Sequence, residues 1–404
     1  MNYVKTISLK PGNLNIEINL PASKSISNRA LILNALSYSP YDVGNLSDCD
    51  DTNVMVDVFE SDNRHFDVGA AGTSMRFLTA FLAKTVGEWT ITGSERMKNR
   101  PIKILVDALN SLGGKIEYLE KEGFPPLKIF GSALMGGELT LDGGVSSQYI
   151  SALMMIAPYM QNGLKIKLEG KVISRPYIEM TQKMMAEFGV KVDFTEKIIE
   201  IRPQIYTPIR YQVESDWSAA SYWYEILTFA GEGEVFLRGL KNDSFQGDRE
   251  VAEIYRNFGI NTKFSQKGAK LTVNSEILPS EFIYDFTNVP DLAQTVVVTC
   301  CLKNIPFRFS GLQSLKIKET NRIAALINEL KKIGCVLFEP SEGELAWAGE
   351  RTAADKNPVF ATYEDHRMAM ALAPVGMFFP VSIQNPEVVT KSYPSFWEDI
   401  RLLY

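Results

Sequence analysis

Histidine is almost missing from this chain: His65 and His366 are the two in 404 residues. That scarcity excludes a histidine-based catalytic triad and a histidine-rich zinc site. Cysteine is nearly as sparse. Cys49, Cys300, Cys301 and Cys335 form no CxxC pair and two of them are adjacent, so there is neither a disulfide framework nor a zinc pattern, and a reducing cytoplasm is the expected setting. No apolar run approaches the roughly 18 residues of a membrane-spanning helix. Residues 1–20 lack the continuous apolar stretch of a signal peptide. Excess positive charge is lacking too: a net charge of −6 provides no global field for nucleic acid. Any anion site must therefore be built locally. What remains is an ordinary globular composition, 45% hydrophobic and 22% charged, in a chain too long for one compact core, so two domains are expected.

The periodicity repeats. Four amphipathic helices are expected over 101–112, 177–188, 248–258 and 321–333, each ending at a glycine (Gly113, Gly189, Gly259, Gly334) suited to the left-handed position that stops a helix. Alternation follows, as in Val190-Lys191-Val192-Asp193, and reads as a half-buried strand. The glycines are 76, 70 and 75 residues apart, so a unit near 70 residues recurs. Further helices are expected over 147–160, 217–230, 291–302 and 366–378. The pattern is a mixed α/β element repeated about six times, three per domain, with the first copy shortened.

Charge and small polar residues gather at helix starts. Ser23-Lys24-Ser25-Ile26-Ser27-Asn28-Arg29 runs into an apolar helix pattern, placing two cations and three hydroxyls where unpaired N–H groups and the helix dipole favour an anion. Gly69-Ala70-Ala71-Gly72-Thr73-Ser74-Met75-Arg76 permits close approach of a ligand to backbone. Arg96, Lys98 and Arg100 precede a helix expected to open at Pro101, where cations oppose the dipole unless an anion lies between them. Ser146-Ser147-Gln148 and Ser174-Arg175-Pro176-Tyr177 repeat the hydroxyl-rich start. The second half differs in kind. Lys318 and Arg322 are spaced i, i+4 on an expected helix face with Glu319 beside them. Asp291 follows Pro290 as a natural N-cap, Asp365-His366-Arg367 opens another helix, and Lys391 lies in the last loop. Hydroxyls in one half and carboxylates with cations in the other suit a cleft between two domains, one holding a polyol phosphate and the other transferring protons.

In order and along nearly the whole chain, these segments resemble the 5-enolpyruvylshikimate-3-phosphate synthase family (3-phosphoshikimate 1-carboxyvinyltransferases). The matching stretches are 23–29, 69–76, 97–101, 146–148, 174–177, 216–222, 246–248, 290–291, 318–322, 365–368 and 391–394. The resemblance implies a two-domain inside-out α/β barrel, three βαβαββ repeats per domain, with residues 1–22 plus 216–404 in one domain, 23–215 in the other and the active site in the cleft between them. It implies transfer of the enolpyruvyl group of phosphoenolpyruvate to the 5-hydroxyl of shikimate 3-phosphate, with release of phosphate, by addition and elimination through a tetrahedral intermediate. No metal or organic cofactor is called for. The chain is expected to be a cytoplasmic monomer with no nucleic-acid or membrane partner.

By position, the family pattern assigns shikimate 3-phosphate to Lys24, Ser25, Arg29, Ser146, Ser147, Gln148, Ser174, Tyr177, Asp291, Ser314 and Lys318. Phosphoenolpyruvate falls to Lys24, Gly72, Arg100, Gln148, Arg322, Arg367 and Lys391. Lys24, Asp291, Glu319 and Lys391 form the implied catalytic set. Two such anions repel; a pair of unit charges about 4 Å apart costs about 4 kcal/mol even at an effective dielectric of 20, so a dense cation cluster is required. The chain departs from the family pattern at Ala70 (usually Asn), Phe77 (usually Pro) and Ser314 (usually Asn), and in its short first repeat. The sister family that acts on a UDP-amino sugar usually has a reactive Cys in the loop matching 95–100, and this loop has none. A non-catalytic binding relative is the other alternative, and the retained Asp291, Glu319 and cations oppose it.

Overall fold

The computed structural model describes residues 3–10, 12–274 and 278–404. They divide into two compact units, Met1–Pro21 with Glu214–Tyr404, and Ala22–Val213.

In the Ala22–Val213 unit, strand His65–Asp67 runs parallel to Gly87–Thr92, joined by helix Gly72–Lys84. Helix Lys103–Ser111 then leads to the antiparallel pair Lys115–Tyr118 and Leu127–Gly131, the latter also antiparallel to Gly87–Thr92. The same plan recurs with Gly137–Asp142, helix Ser147–Ile156, Leu164–Glu169, helix Arg175–Glu187, Asp193–Phe194 and Ile198–Ile201. This is a βαβαββ repeat. The first repeat is reduced to helices Lys24–Leu36 and Asp50–Glu60, and in place of a sheet has the single bridge between Gly44 and Gln212.

The other unit has three sheets among its described residues. The N-terminal strands complete two of them: Leu14–Asn19 lies parallel to Gly233–Arg238, and Val4–Ile7 antiparallel to Val381–Gln384. That pairing is why the first residues belong with the C-terminal half. The third sheet pairs Phe282–Asp285 with Phe307–Ser310 and Leu345–Trp347.

Burial explains the layering. Strands such as Leu164–Glu169 alternate buried and more accessible positions, so each sheet turns one face to water. Two of the helices are buried all round: Trp217–Ala230 and Ala293–Leu302 bury nearly every residue, which only a helix at the centre of a core can do. Those two helices lie inside, whereas Lys103–Ser111, Arg175–Glu187 and Arg322–Lys331 each bury one face and expose the other.

The four helix-stopping glycines all have positive φ, from +79° at Gly259 to +98° at Gly113. Their surroundings correct several expectations. The strand expected at 190–193 shrinks to Asp193–Phe194, because the Gln204 side-chain amide takes both the N–H and the C=O of Lys191 and substitutes for a ladder. After Gly334 no strand forms; Cys335 and Phe338 make isolated bridges to Arg351 and Ala346. Proline shortens two helices: the α-helical parts end at Ile156 and Leu372, and 3-10 turns containing Pro158 and Pro374 continue them. The helix expected over 248–258 is a 3-10 turn, Gly247–Glu250, followed by helix Val251–Arg256. The helix after Pro101 starts at Lys103.

One buried group is used by none of these packings. Glu225 in helix Trp217–Ala230 is 0% exposed and neither carboxyl oxygen has a hydrogen-bonding partner among the described residues; burial pushes its carboxyl well above the usual range. The folded state thus keeps a proton that the unfolded chain loses, and stability falls as pH rises above the unfolded carboxyl value. Glu225→Gln removes that slope. The variant is expected to gain stability over the parent by up to about 1.4 kcal/mol per pH unit above pH ~4.5 and to lose that gain below it, read from urea unfolding at several pH values.

Candidate active site

In the unit that contains the C-terminal half, one guanidinium organises the charges. Arg322 is 1% exposed and opens helix Arg322–Lys331, which Asn321 caps by accepting the Ala324 N–H at 3.2 Å. Its Nε donates to Asp365 Oδ2 at 2.7 Å and its Nη2 to Asp365 Oδ1 at 3.2 Å. Nη1 donates to Asp291 Oδ1 at 3.0 Å, and Nη2 also to Glu319 Oε2 at 2.9 Å. Three carboxylates therefore face one fork. Burial alone would lower the Arg322 pKa, but Asp365, Glu319 and Asp291 outweigh it and raise it.

Further cations close the web. Arg367 Nη2 donates to Asp291 Oδ2 at 3.1 Å, Lys318 Nζ lies 3.6 Å from Asp291 Oδ1, and Lys391 Nζ lies 3.2 Å from Glu319 Oε1. For Asp291, burial pushes the carboxyl up, yet Arg367, Lys318 and Arg322 together prevail and hold it well below the carboxylate range. Asp248 behaves oppositely. Burial, then the neighbouring charge of Asp291, push it up to about 6 against the pull of Arg367. Ser218 links the two, donating to Asp248 Oδ2 and accepting from Arg367 Nη2 at 3.3 Å. Two carboxyls driven in opposite directions are the raw material of acid–base chemistry.

Some local reasoning from sequence fails here although the residues converge. Lys318 is extended backbone preceding the helix, not its first turn, so the i, i+4 face does not exist; both cations reach the same Asp291 oxygen from different elements. Asp291 lies in the 3-10 turn Pro290–Leu292, and its carboxylate faces cations where a cap was expected. Asp365 does cap its helix, accepting from Arg367 N–H at 2.9 Å, while also holding Arg322.

The Ala22–Val213 unit has a second group. Lys24 Nζ lies 3.4 Å from Asp51 Oδ2, and Ser74 donates to the Asp51 carbonyl at 2.6 Å, tying the start of helix Lys24–Leu36 to that of Gly72–Lys84. Gln148 Nε2 donates to Thr73 Oγ1 at 3.1 Å. The Arg100 guanidinium lies against Gly72, where an added Cβ would meet Arg100 Nη1 at 2.5 Å, and Arg100 Nε is buried without a partner among the described residues. Arg96 is exposed, and Lys98 pairs with Glu120 at 3.2 Å and Glu95 at 3.3 Å. The expected conflict of three cations with a helix dipole thus reduces to Arg100.

Arg29 is 2% exposed and serves protein acceptors: Nε donates to Thr181 Oγ1 at 2.7 Å, Nη1 to the Ser25 carbonyl at 2.9 Å, and Nη2 to Ser151 Oγ at 3.1 Å and the Tyr177 carbonyl at 3.3 Å. Burial lowers its pKa to about 10. Ser146 caps helix Ser147–Ile156, accepting from Gln148 N–H at 3.4 Å. Ser174 is left-handed at φ +52° and makes no capping bond, although its carbonyl accepts the Tyr177 N–H at 3.1 Å. Ser314 lies in the 3-10 turn Gln313–Ile317 just before Lys318.

The sequence model of the EPSP synthase (3-phosphoshikimate 1-carboxyvinyltransferase) family matches residues 9–61 and 58–400. A 3-phosphoshikimate 1-carboxyvinyltransferase of Bacteroides fragilis is 52% identical over 393 residues, covering 97% of this chain and 96% of its own. The chain belongs to the EPSP synthase family. A Vibrio campbellii protein of the same name is 34% identical over 431 residues, with 99% and 100% covered. The EPSP synthase structure from Acinetobacter baumannii shares the fold at TM-score 0.76 and 19% identity, covering 98% of both chains.

Within this EPSP synthase family chain, Asp51 and Thr73 contact the candidate residues of the Ala22–Val213 unit, and Ser218, Asp248 and Asp365 those of the other unit, without having been singled out as site residues. Asp248 and Asp365 stand in motifs that the sequence displays, Gln-Gly-Asp and Asp-His-Arg, whereas Asp51 is hidden in the acidic run Asp48-Cys49-Asp50-Asp51. Because Asp365 answers two Arg322 nitrogens in a buried setting, Asp365→Ala is expected to destabilise the fold by about 3 kcal/mol or more, the usual cost of stranding one partner of a buried pair. Urea unfolding checks this; a midpoint within error of the parent contradicts it.

Proposed function

We propose that the two groups of side chains serve one reaction, with residues assigned as follows. The chain is a 3-phosphoshikimate 1-carboxyvinyltransferase of the shikimate pathway, making 5-enolpyruvylshikimate 3-phosphate and phosphate from shikimate 3-phosphate and phosphoenolpyruvate. Shikimate 3-phosphate is received by Lys24, Ser25, Ser146, Ser147, Gln148, Ser174 and Tyr177, with Asp291, Ser314 and Lys318 from the other unit. Arg29 fixes the helix starts that present Ser25 and Tyr177 and supplies positive charge behind them. Phosphoenolpyruvate is received by Lys24, Gly72, Arg100, Gln148, Arg322, Arg367 and Lys391. Arginine suits both groups of that ligand because its fork binds carboxylate and phosphate in two-point fashion.

The convergence of Arg322, Arg367 and Lys318 on Asp291 carries the mechanism. These cations are neutralised by Asp291, Glu319 and Asp365. An arriving trianion competes for them, and every cation drawn toward it weakens the hold on Asp291 and raises its basicity. Asp291 then accepts the proton of the 5-hydroxyl as that oxygen attacks C2 of phosphoenolpyruvate. Glu319, protonated from solvent as the ligand draws Arg322 and Lys391 away from it, delivers that proton to the methylene carbon. Elimination reverses that transfer at the methyl carbon and expels phosphate, stabilised by Lys24 and Arg100. No helix among the described residues is long and apolar enough to cross a membrane. Cytoplasmic location and a monomeric state complete the proposal, since one chain carries every group required.

The test is phosphate release from phosphoenolpyruvate by purified protein, with and without shikimate 3-phosphate, beside Asp291→Ala. Release that requires shikimate 3-phosphate and falls by about a hundredfold or more in the variant, in line with loss of a general base, supports the assignment. Release in the variant at the parent rate removes Asp291 from the mechanism. No release from the parent, with both ligands bound, favours the non-catalytic alternative.

A further inference from the structure

Two charged side chains of one helix grip one short stretch of backbone. Arg322 and Glu329 both belong to helix Arg322–Lys331; their spacing of two turns places them on one face. Arg322 holds the Asp365 carboxylate. Glu329, 1% exposed, takes the chain just before it. Its Oε1 accepts the Tyr363 hydroxyl at 2.6 Å, and its Oε2 accepts the Ala361 N–H at 2.9 Å. Lys332 completes the clasp, donating to Glu329 Oε2 at 2.6 Å and to the Val359 carbonyl at 2.7 Å. A buried carboxylate with donors on both oxygens is satisfied, so Glu329 is a fixed anchor.

The clasped stretch is strained. Among the described residues, seven other than glycine have positive φ, and only Tyr363 (+55°) and Glu364 (+56°) are neighbours in sequence. Three of the seven are asparagines, whose short polar side chain tolerates that region; Tyr and Glu have no such excuse. Thr362 adds to the cost, being 1% exposed with its Oγ1 unpartnered among the described residues. A left-handed pair of this kind persists only where its surroundings impose it. This one stands directly before Asp365-His366-Arg367. It returns the chain to extended backbone at Asp365 (φ −115°, ψ 115°), whose N–H meets the Thr362 carbonyl at 2.9 Å, and so sets the start of helix His366–Leu372. Arg367 then reaches Asp291 Oδ2 at 3.1 Å and Ser218 Oγ at 3.3 Å. Burial, and then the bond to Glu329, push the Tyr363 hydroxyl up to about 12, so it remains a donor well above neutral pH.

We infer that Glu329 and Tyr363 are positioning residues for phosphoenolpyruvate: their bond holds the left-handed turn, and the turn aims Arg367 and the Asp365 carboxylate that grips Arg322. The inference rests on the assignment of Arg322 and Arg367 to that ligand. Glu329 and Tyr363 act through those arginines. Without the Tyr363 hydroxyl the turn relaxes toward ordinary backbone, and Arg367 stands in its productive place for a smaller fraction of the time. Apparent affinity falls by that fraction, while the aligned complex, once formed, reacts as before. KM therefore moves and kcat does not.

Variants of the full-length protein are compared by steady-state kinetics at saturating shikimate 3-phosphate, with urea unfolding to confirm that each is folded. Tyr363→Phe removes only the hydroxyl from a residue that is 37% exposed. Its KM for phosphoenolpyruvate is expected to rise about fivefold to tenfold, the effect of one lost hydrogen bond to a charged group, with kcat changed by less than about twofold. Adding Glu364→Gly supplies a residue that adopts left-handed backbone freely, and is expected to return that KM to within about twofold of the parent. Arg367→Gln tests the underlying assignment and is expected to raise the same KM further than Tyr363→Phe does. If Arg367→Gln leaves it at the parent value, the assignment of Arg367 fails and the inference falls with it. If Arg367→Gln raises it and Tyr363→Phe does not, the inference alone is overturned. A raised KM that Glu364→Gly does not restore, or a loss of kcat without a change in KM, also overturns it, because the hydroxyl would then act by a route other than the turn.

Discussion

A buried arginine cannot stand alone, and the charged cluster of the unit that contains the C-terminal half depends on how Arg322 is neutralised. Desolvating an ion costs several kcal/mol even after relaxation, and only well-made charge-assisted bonds offset that cost. Arg322 receives them from Asp291, Glu319 and Asp365. These partners come from three elements far apart in sequence: the turn Pro290–Leu292, the segment before helix Arg322–Lys331, and the cap of helix His366–Leu372. The first and third elements run into helices buried almost throughout, and Arg322–Lys331 buries one face, so a correctly packed core also assembles the charges. The surrounding protein then supplies a low-dielectric, preorganised setting in which electrostatic stabilisation is strongest.

The Ala22–Val213 unit solves a related problem differently. Arg29 is answered by backbone carbonyls and hydroxyls, and its guanidinium stacks 5.2 Å from the ring centroid of Phe77, the residue at which the chain departs from the usual family proline. The departure is absorbed: Phe77 is 1% exposed and supplies an aromatic face to a cation that carries no carboxylate bond among its recorded partners. Arg100 keeps a buried nitrogen without a partner among the described residues, against the glycine start of a helix. Such a group is costly at rest and rewarded only by an anion, which makes it the complement of the fully neutralised Arg322.

Residue types and their grouping could be read from sequence; geometry could not. The glycines at Gly113, Gly189, Gly259 and Gly334 marked helix ends because positive φ is written into that residue choice. The convergence of Lys318 and Arg322 was anticipated for the wrong reason, since a helix face was inferred where an extended residue precedes the cap. Asp51 gave no signal, because an acidic residue in a helix's first turn is also what dipole stabilisation alone would place there. Glu225 was invisible for the opposite reason: periodicity in an all-buried helix cannot distinguish a charged residue packed in the core from one at its margin. The two sheets of the Ala22–Val213 unit are the two full repeats expected there, and the shortened first copy keeps its helices and retains a bridge in place of strands.

On the proposed function, Arg322 holds phosphoenolpyruvate through the geometry of its fork and not through charge alone. Arg322→Lys keeps the charge and removes the planar donors that meet three carboxylates and an incoming anion. Equilibrium binding of phosphoenolpyruvate to this variant, with shikimate 3-phosphate present, tests the claim most directly. The account predicts affinity weaker by about tenfold to a hundredfold, as expected for loss of a charge-assisted hydrogen bond worth about 1.5–3 kcal/mol. Binding within twofold of the parent would show that a positive charge at this position suffices and that the three-carboxylate arrangement is incidental to ligand capture.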